Sequence, residues 1–488
     1  VDALALEHHL SSPQGRGRLP VGGFTAEAGG GACCDRVRLS LSLDSGRVAD
    51  AGFEAHGCGT ATAAGSAAVA LARGRPLLEV ARVGAREIAA ELGGLSPGKL
   101  HAAEVAADAL ARALGRAARA AARLPRPPGG RTLVAMSGGV DSAVAAHLSR
   151  QARETVAVTL ELWADPENDG ERSCCSASAV ARARSLAHSM GLAHLTVDLR
   201  EEFRAGVVEP FIAEHAAGLT PNPCVACNGH VRLDAMLELA ERLGCDHLAT
   251  GHYARIAELG DPRGPLLRAA ADPAKDQTYM LAALEPASLA RLRFPLGDLT
   301  KPMVRRIAAD AGLPVADRAD SQDLCFLAGT GRARFLARHG RLGDRPGELV
   351  DRSGRVLGRH RGQHHFTVGQ RRGLGIAAGR PLYVLDRDPA SNRVTVGAGE
   401  ELRTARVAVR DARLHRPGAD VDRVKLRYRS RALPARLVGD PPAGRHGRLE
   451  LELGEPADAA VPGQVACLMA GERVIGWGTI TRLHSLAR

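Results

Sequence analysis

The chain has 488 residues, 45% of them hydrophobic and only 3% aromatic, which excludes a single compact core and predicts three or four domains built on Ala, Leu and Val. No apolar run approaches the ~18 residues of a membrane span, and residues 1–14 carry no signal-peptide block, so a cytoplasmic protein without a membrane anchor is predicted. A net charge of +11 favours an acidic partner such as nucleic acid, and ten cysteines, too sparse for a disulfide scaffold, read as thiols, metal ligands or catalysts.

Only four of the 65 cationic residues are lysines: Lys99, Lys275, Lys301 and Lys425. In so arginine-rich a chain, a lysine that persists is a candidate for a role that a planar guanidinium cannot fill.

Residues 30–123 predict a first α+β unit. Val37, Leu39, Leu41 and Leu43 alternate with polar residues as one strand face, and 48–53 returns as the hairpin partner. Helical patterns follow at 60–73, 78–92 and 101–124. Residues 124–130, Leu-Pro-Arg-Pro-Pro-Gly-Gly, read as a linker.

From residue 131 strands and helices alternate, which predicts an α/β doubly wound parallel sheet. A short buried strand at 133–136 runs into Ser137-Gly138-Gly139-Val140-Asp141-Ser142 and then a helix. The glycines free the backbone, and a strand–turn–helix aims N–H groups and a positive helix end at one point, which suits an anion. Ser137 and Ser142 add hydroxyls, and Asp141 suits Mg²⁺ on phosphates; no Gly-Lys-Ser/Thr follows, so this is not a P-loop. Strands at 155–163, 194–199 and 245–250 and helices at 176–190, 201–217 and 230–243 complete the unit. Ligands of such sheets bind beyond the carboxyl ends of the strands. The Ser137 loop, Leu160, the loop 221–228 and Gly251 therefore converge on one nucleotide.

Cys224 and Cys227 form a C-x-x-C in the loop 221–228, and Cys325 lies in Asp-Leu-Cys-Phe at 323–326. Cys174-Cys175 read as structural or redox-incidental, and Cys245 and Cys467 as core residues. Residues 330–395 are mixed and rich in arginine. From 396 onward, short strands between Gly/Pro turns predict a small antiparallel β-barrel, with Val424, Leu426 and Tyr428 alternating with Lys425, Arg427 and Arg429.

Three resemblances attach to these motifs. Residues 137–142 resemble the pyrophosphate loop of the N-type ATP pyrophosphatases, which activate a carbonyl oxygen by adenylation. Cys33-Cys34-Asp35, Gly57-Cys58-Gly59 and Lys99-Leu100-His101-Ala102 resemble the ligand sites of NifU-like iron–sulfur scaffold domains. That resemblance implies a cluster or zinc on Cys33, Asp35, Cys58 or His101, with Cys34 as a substitute. The family's third cysteine falls at Ala102, so a decayed scaffold kept for docking stays an equal alternative.

From about 131 to the end, the cysteine motifs with Lys275-Asp276-Gln277 and Gly362-Gln363-His364-His365 resemble tRNA-specific 2-thiouridylase. The resemblance implies Cys227 as nucleophile and Cys325 as persulfide carrier. It implies ATP held by Ala135, Met136, Ser137, Gly138, Gly139, Val140, Asp141, Ser142, Leu160 and Gly251. Asn222 and Cys224 would line the base pocket, and His252, Lys275, Asp276, Gln277, Gln370, Tyr428, Arg429 and Gln464 would face tRNA; Lys275 could instead neutralise charge at the pyrophosphate. The barrel's basic face would lie along tRNA phosphates. The sulfur donor would be a persulfide carrier, a cysteine desulfurase or sulfide.

One position departs from that family: Cys224 stands where it most often has aspartate. Cys224, Cys227 and Cys325 then match the three-cysteine count of cluster-dependent tRNA thiolases, so a 4Fe–4S cluster and persulfide chemistry are both open. The scaffold-like first unit leans the reading toward the cluster. The implied layout is a scaffold-like domain (1–123), a linker (124–130), a pyrophosphatase domain (131–329), a tRNA-recognition domain (330–395) and a barrel (396–488). The function implied is ATP-dependent 2-thiolation of the wobble uridine of tRNA. Its rivals are another adenylating amidotransferase, or an iron–sulfur carrier with a regulatory nucleotide domain.

Overall fold

The computed structural model describes residues 3–30, 34–165, 177–258, 260–319 and 324–483. The alternation at Val37, Leu39 and Leu41 is realised in the strand Arg36–Asp44, where all three side chains are fully buried. It pairs with Arg47–His56 on one side and, on the other, with a strand Phe24–Gly29 that lies before the predicted start at residue 30. A helix Ala3–Ser11 precedes both and packs on Gly59–Ala72. The helix predicted over 78–92 is two helices, Leu77–Val80 and Ala85–Glu91. Gly84 breaks it by capping the second, its N–H donating to Glu87 Oε2 at 2.8 Å.

The long helix Leu100–Ala120 joins this unit to the next. It lies along Ala193–Asp198, the edge strand of the second sheet. Gly115 approaches so closely that a Cβ would overlap Thr196 O, and the His194 N–H of the same strand donates to Ala81 O at 2.8 Å. Arg112 pairs with Glu161 at 2.7 Å, and Arg119 reaches Asp198 O and Glu202. A covered edge strand cannot pair with a foreign one. The linker is tied down too, with Leu124 N–H on Arg242 O at 2.8 Å.

The second sheet is parallel throughout, in the order Leu292–Arg293, His247–Ala249, Arg131–Ala135, Glu154–Glu161, Ala193–Asp198. Val134, Ala157, Ala183, Leu186 and Val304 fill one layer against it, and Val156, Val158, Leu237 and Leu239 belong to the other. The doubly wound reading therefore holds.

After the helix Arg332–Gly340, a four-stranded sheet of Val356–His360, Gly347–Val350, Arg393–Gly397 and Tyr383–Asp388 forms the small central unit. The last unit is a closed antiparallel barrel. Its strands run Thr404–Leu414, Gly444–Ala457, Leu433–Leu437, Arg423–Lys425, Val465–Ala470, Arg473–Thr481 and back to Thr404–Leu414. Two strands of the preceding α/β unit, Arg255–Ala257 and Leu266–Arg268, extend this sheet. The alternation predicted through Arg429 stops at Lys425: residues 427–429 form a turn, with Arg429 at φ +63°.

Candidate functional site

Strand Arg131–Ala135 runs into a loop whose Gly138 takes φ +72°, a conformation glycine adopts without strain, and Gly139 caps helix Val140–Ala152. Ser142 Oγ accepts from Ser137 N–H at 3.2 Å and donates to Gly139 O at 3.0 Å, so this hydroxyl shapes the loop. A cavity of about 210 Å³ opens above it, lined by Ala135, Met136, Ser137, Asp141, Ser142, Leu160 and Gly251 among others. Gly251 is needed there, because a Cβ would stand 2.8 Å from Asp141 C and Ser142 N.

Three groups at this loop were not expected. Lys301, only 7% exposed, donates to Asp141 Oδ1 at 2.7 Å, and Tyr253 OH donates to the same oxygen at 2.8 Å. The sequence marks Lys301 only by the rarity of lysine. Arg232 lines the cavity and hydrogen-bonds both Asn228 Oδ1 and His252 Nε2.

His252 and Gln277, read as tRNA contacts, also line this cavity. Arginine can only donate, so His252 Nε2 accepts and its Nδ1–H points to Thr250 Oγ1 at 2.8 Å. Burial, then the Arg232 charge, push the ring's pKa down to about 3, so it is neutral. Gln277 Oε1 accepts from Tyr253 N–H at 2.9 Å.

The C-x-x-C sits on a short helix, Pro223–Cys227, and not in an open loop. Pro223 opens it and Asn222 Oδ1 caps it by accepting from Cys224 N–H at 3.2 Å. A spacing of three places Cys224 and Cys227 on one helix face. Cys227 is 8% exposed and Cys224 half-buried. Asn228, next to Cys227, is buried and donates to Met280 O at 3.1 Å.

The segment before this helix is gripped by both neighbouring units. Arg387, fully buried, donates to Gly218 O at 2.9 Å and Thr220 Oγ1 at 2.8 Å. Thr220 N–H donates to Pro462 O at 2.9 Å, and Gln464 Nε2 to Thr220 O at 2.7 Å. Gln464, placed at tRNA by the sequence reading, thus holds the loop ahead of Cys227.

Other residues read as tRNA contacts also face inward. Asp276 and Lys425 form an ion pair at 3.2 Å with side chains only 9% and 13% exposed, because Asp276 is fixed by Thr278 and Ala270 N–H. Gln370 folds onto its own loop, accepting from Thr367 N–H and donating to Arg372 O, each at 3.0 Å. Lys275 is half-buried. Arg429 is exposed, its guanidinium 5.4 Å from the Tyr428 ring centre.

Cys325 is half-buried on the turn that begins at 324; residues 320–323 of its motif lie outside the described residues, as do Cys33, Cys174 and Cys175. Cys245 and Cys467 are core residues, and burial pushes both thiols up to about 12.

In the first unit, Asp35, Cys58 and His101 bring their ligand atoms within 4.8 Å of one another. Asp35 Oδ2 accepts from the His101 ring at 2.8 Å and from Cys58 Sγ at 3.2 Å, and Asp35 Oδ1 from Cys58 N–H at 2.8 Å. Burial alone would raise the Asp35 carboxyl; the Cys58 N–H, the His101 ring and the Cys58 thiol outweigh it and hold it low. One oxygen, one sulfur and one imidazole suit a single zinc-like ion with a position to spare. Ala102, at the missing cysteine, is fully buried. Among the described residues this is the one group of three such ligands within 4.8 Å of one another.

Family models match in chain order: a NifU-like N terminal domain over residues 4–121, a tRNA methyl transferase HUP domain over 130–329, and a tRNA methyl transferase PRC-barrel domain over 333–398. The chain is 44% identical, over 97% of both chains, to the bifunctional protein NifU/MnmA of Rubrobacter xylanophilus. It is 43% identical to the tRNA-specific 2-thiouridylase MnmA of Solibacter usitatus, over 71% of this chain and 98% of the relative. The same enzyme of Acidithiobacillus ferrooxidans is 45% identical over 72% and 98%. A solved U34-tRNA thiolase, NcsA of Methanococcus maripaludis with a 4Fe–4S cluster, is 18% identical over 44% of this chain and 64% of its own, at a TM-score of 0.27 that carries no argument.

Proposed function

Because the chain belongs to the tRNA-specific 2-thiouridylase family, in the form that begins with a NifU-like domain, we propose that it thiolates C2 of the wobble uridine of tRNA at the expense of ATP. A cytoplasmic location belongs to this reading, because that is where its tRNA substrate would be met. The observation that carries the reading is Arg232. It lines the cavity read as the nucleotide site and hydrogen-bonds Asn228, the residue after Cys227, so one side chain links that cavity to the neighbour of the nucleophile.

The C2 oxygen of uridine is a poor leaving group and is first adenylated: it attacks the α-phosphorus and pyrophosphate departs. The loop Ser137–Ser142 would hold the pyrophosphate, with Asp141 Oδ2 toward Mg²⁺ and Lys301 countering the charge that develops. The base has to leave the anticodon stack, at a cost of about a few kcal/mol. The terminal sulfur of a Cys325 persulfide attacks C2, the C2–O bond breaks and AMP leaves. Cys227 thiolate then attacks the Cys325 sulfur of the resulting disulfide, and 2-thiouridine is released. An external thiol reduces the Cys227–Cys325 disulfide, and a persulfide carrier or cysteine desulfurase reloads Cys325.

Cys224 in place of aspartate favours a second reading, in which Cys224, Cys227 and Cys325 hold a 4Fe–4S cluster. Bound there, a cluster would present one iron without a protein thiolate, where sulfide can be held. In the first unit Asp35, Cys58 and His101 would hold zinc or iron, as their donor set allows.

The test is AMP formation and thiolation measured together. Parent enzyme should release AMP only with tRNA present. Cys227→Ser and Cys325→Ser should each lose thiolation and keep tRNA binding. AMP release indifferent to tRNA would favour a carrier with a regulatory nucleotide domain, and thiolation by either mutant would remove that cysteine from the mechanism.

A further inference from the structure

The chain has eight phenylalanines and two tryptophans in 488 residues. Four of those phenylalanines and one tryptophan meet in a single cluster beside Cys325. Phe326, adjacent to Cys325 and 3% exposed, stands edge-on to Phe203, Phe211 and Phe335, with ring centres 5.7, 5.2 and 5.1 Å away. Trp163 closes the far side, 5.8 Å from Phe335. Such edge-to-face contacts fix ring orientation as well as adding buried area. So aromatic-poor a chain has cheaper ways to fill a core, in Leu and Ala, which points to a positional reason for this one.

The cluster's walls come from different domains. Phe203 and Phe211 lie in the helical stretch 200–216 of the pyrophosphatase domain, whose middle turn Arg204–Val208 packs on Pro223–Cys227, the helix that carries both thiols. Phe335 lies on the central-domain helix Arg332–Gly340, which is held to the pyrophosphatase domain by Arg338 on Asp165 at 2.7 Å. Cys325 itself sits on a turn. The ring of the next residue ties that turn to the helical stretch that packs on the helix of Cys227.

We propose that Phe326 is the positioning residue of Cys325, and that Phe335 makes this position depend on the central domain. The inference rests on Cys325 as the sulfur-carrying thiol. Displacing a reacting group by about 1 Å costs on the order of 100-fold in rate. Loosening the aromatic contacts should slow sulfur transfer and leave adenylation alone, because no cluster member lines the nucleotide cavity.

The experiment follows adenylated and thiolated tRNA through a single turnover, and the rate at which iodoacetamide alkylates Cys325, in full-length Phe326→Ala, Phe326→Met and Phe335→Leu. We expect the ratio of adenylated to thiolated tRNA to rise by on the order of 10- to 100-fold in Phe326→Ala and Phe335→Leu, with faster alkylation of Cys325. Phe326→Met, which keeps the volume, should restore much of the coupling. A global loss of fold would lower adenylation and thiolation together; if Phe326→Ala does so, Phe335→Leu and Phe326→Met decide. Cys325→Ser serves as the reference. Thiolation by Cys325→Ser would overturn the sulfur-carrying reading itself. A dead Cys325→Ser beside aromatic variants with parental coupling and alkylation would overturn the positioning role alone.

Discussion

Lys301 reaches Asp141 across 160 residues of sequence and donates to its Oδ1 at 2.7 Å. Tyr253 OH donates to the same oxygen. On the proposed reading, a buried ammonium this close to the Ser137–Ser142 loop would counter charge where the α–β bond of ATP breaks. Lys301→Gln should lower tRNA-dependent AMP formation by on the order of 100-fold with tRNA affinity unchanged. Lys301→Arg should rescue little, since a planar fork does not fit a site made for a compact ammonium. Steady-state AMP assays and filter binding decide it; normal AMP formation in Lys301→Gln would remove Lys301 from the chemistry.

His215 gives the fold an acid-sensitive joint. Burial first, then the charges of Arg332, Arg387 and His364, push its pKa down to about 3. The unfolded ring titrates near 6.5, so between pH 6.5 and 3 the unfolded chain binds the extra proton and stability falls as pH falls. The slope for one such group is about 1.4 kcal/mol per pH unit. Urea unfolding from pH 7.5 to 5 should show His215→Leu losing stability less steeply than the parent; equal slopes would clear His215.

Removing the first domain is not a neutral truncation. Gly115 lies against Thr196 O and Ala81 O accepts from His194, so deletion of residues 1–123 uncovers the edge strand Ala193–Asp198. Gly115→Val should cost about 1–3 kcal/mol by overpacking. The test is a thermal melt: one shared transition is expected for the parent, with a lowered Tm in the variant. An unshifted melt would mean that the two units merely touch.

Lys425 and Arg429 were read as equivalent members of one basic face, and the structure separates them. Lys425→Ala strands Asp276 in a largely buried site, a loss of about 3–5 kcal/mol for a fully buried pair and somewhat less at this exposure. Its effect should be on stability, with the salt dependence of tRNA binding unchanged. Arg429→Ala should lower the log–log salt slope by about 0.7–0.9 if its exposed guanidinium meets a phosphate. Binding isotherms across a salt series separate the two.

What the sequence made legible follows from the physics of each signal. Strands buried on both faces read as apolar runs, so Arg131–Ala135, Glu154–Glu161 and Ala193–Asp198 were found nearly in place. The edge strand Phe24–Gly29 was missed because Gly, Thr and Ala give it little pattern. The pyrophosphate loop, Leu160 and Gly251 were identified by local motif and do share a cavity. Where side chains point was not legible. Gln464, Asp276 and His252 lie in motifs that looked outward, and each is turned inward by a partner 20 to 244 residues away. Lys301 was hidden for the same reason: nothing local to it names Asp141.

The last prediction turns on Cys224, one helical turn before Cys227 on the capped helix Pro223–Cys227. The first domain is part of the fold, so iron bound there is removed by replacing Cys33, Cys34 and Cys58 with serine in the full-length chain. If Cys224, Cys227 and Cys325 hold a 4Fe–4S cluster, that background keeps its iron and sulfide, and Cys224→Asp loses them with its visible absorbance. If Cys325 carries a persulfide instead, the background holds no iron, and Cys224→Asp is as active or better. A carboxylate at position 224 then stands on the same helix face as Cys227, where it can accept the thiol proton. Iron and sulfide assays on anaerobically purified protein, beside thiolation with a persulfide donor, give opposite results for the two chemistries. An iron-free background that thiolates tRNA in air would exclude the cluster.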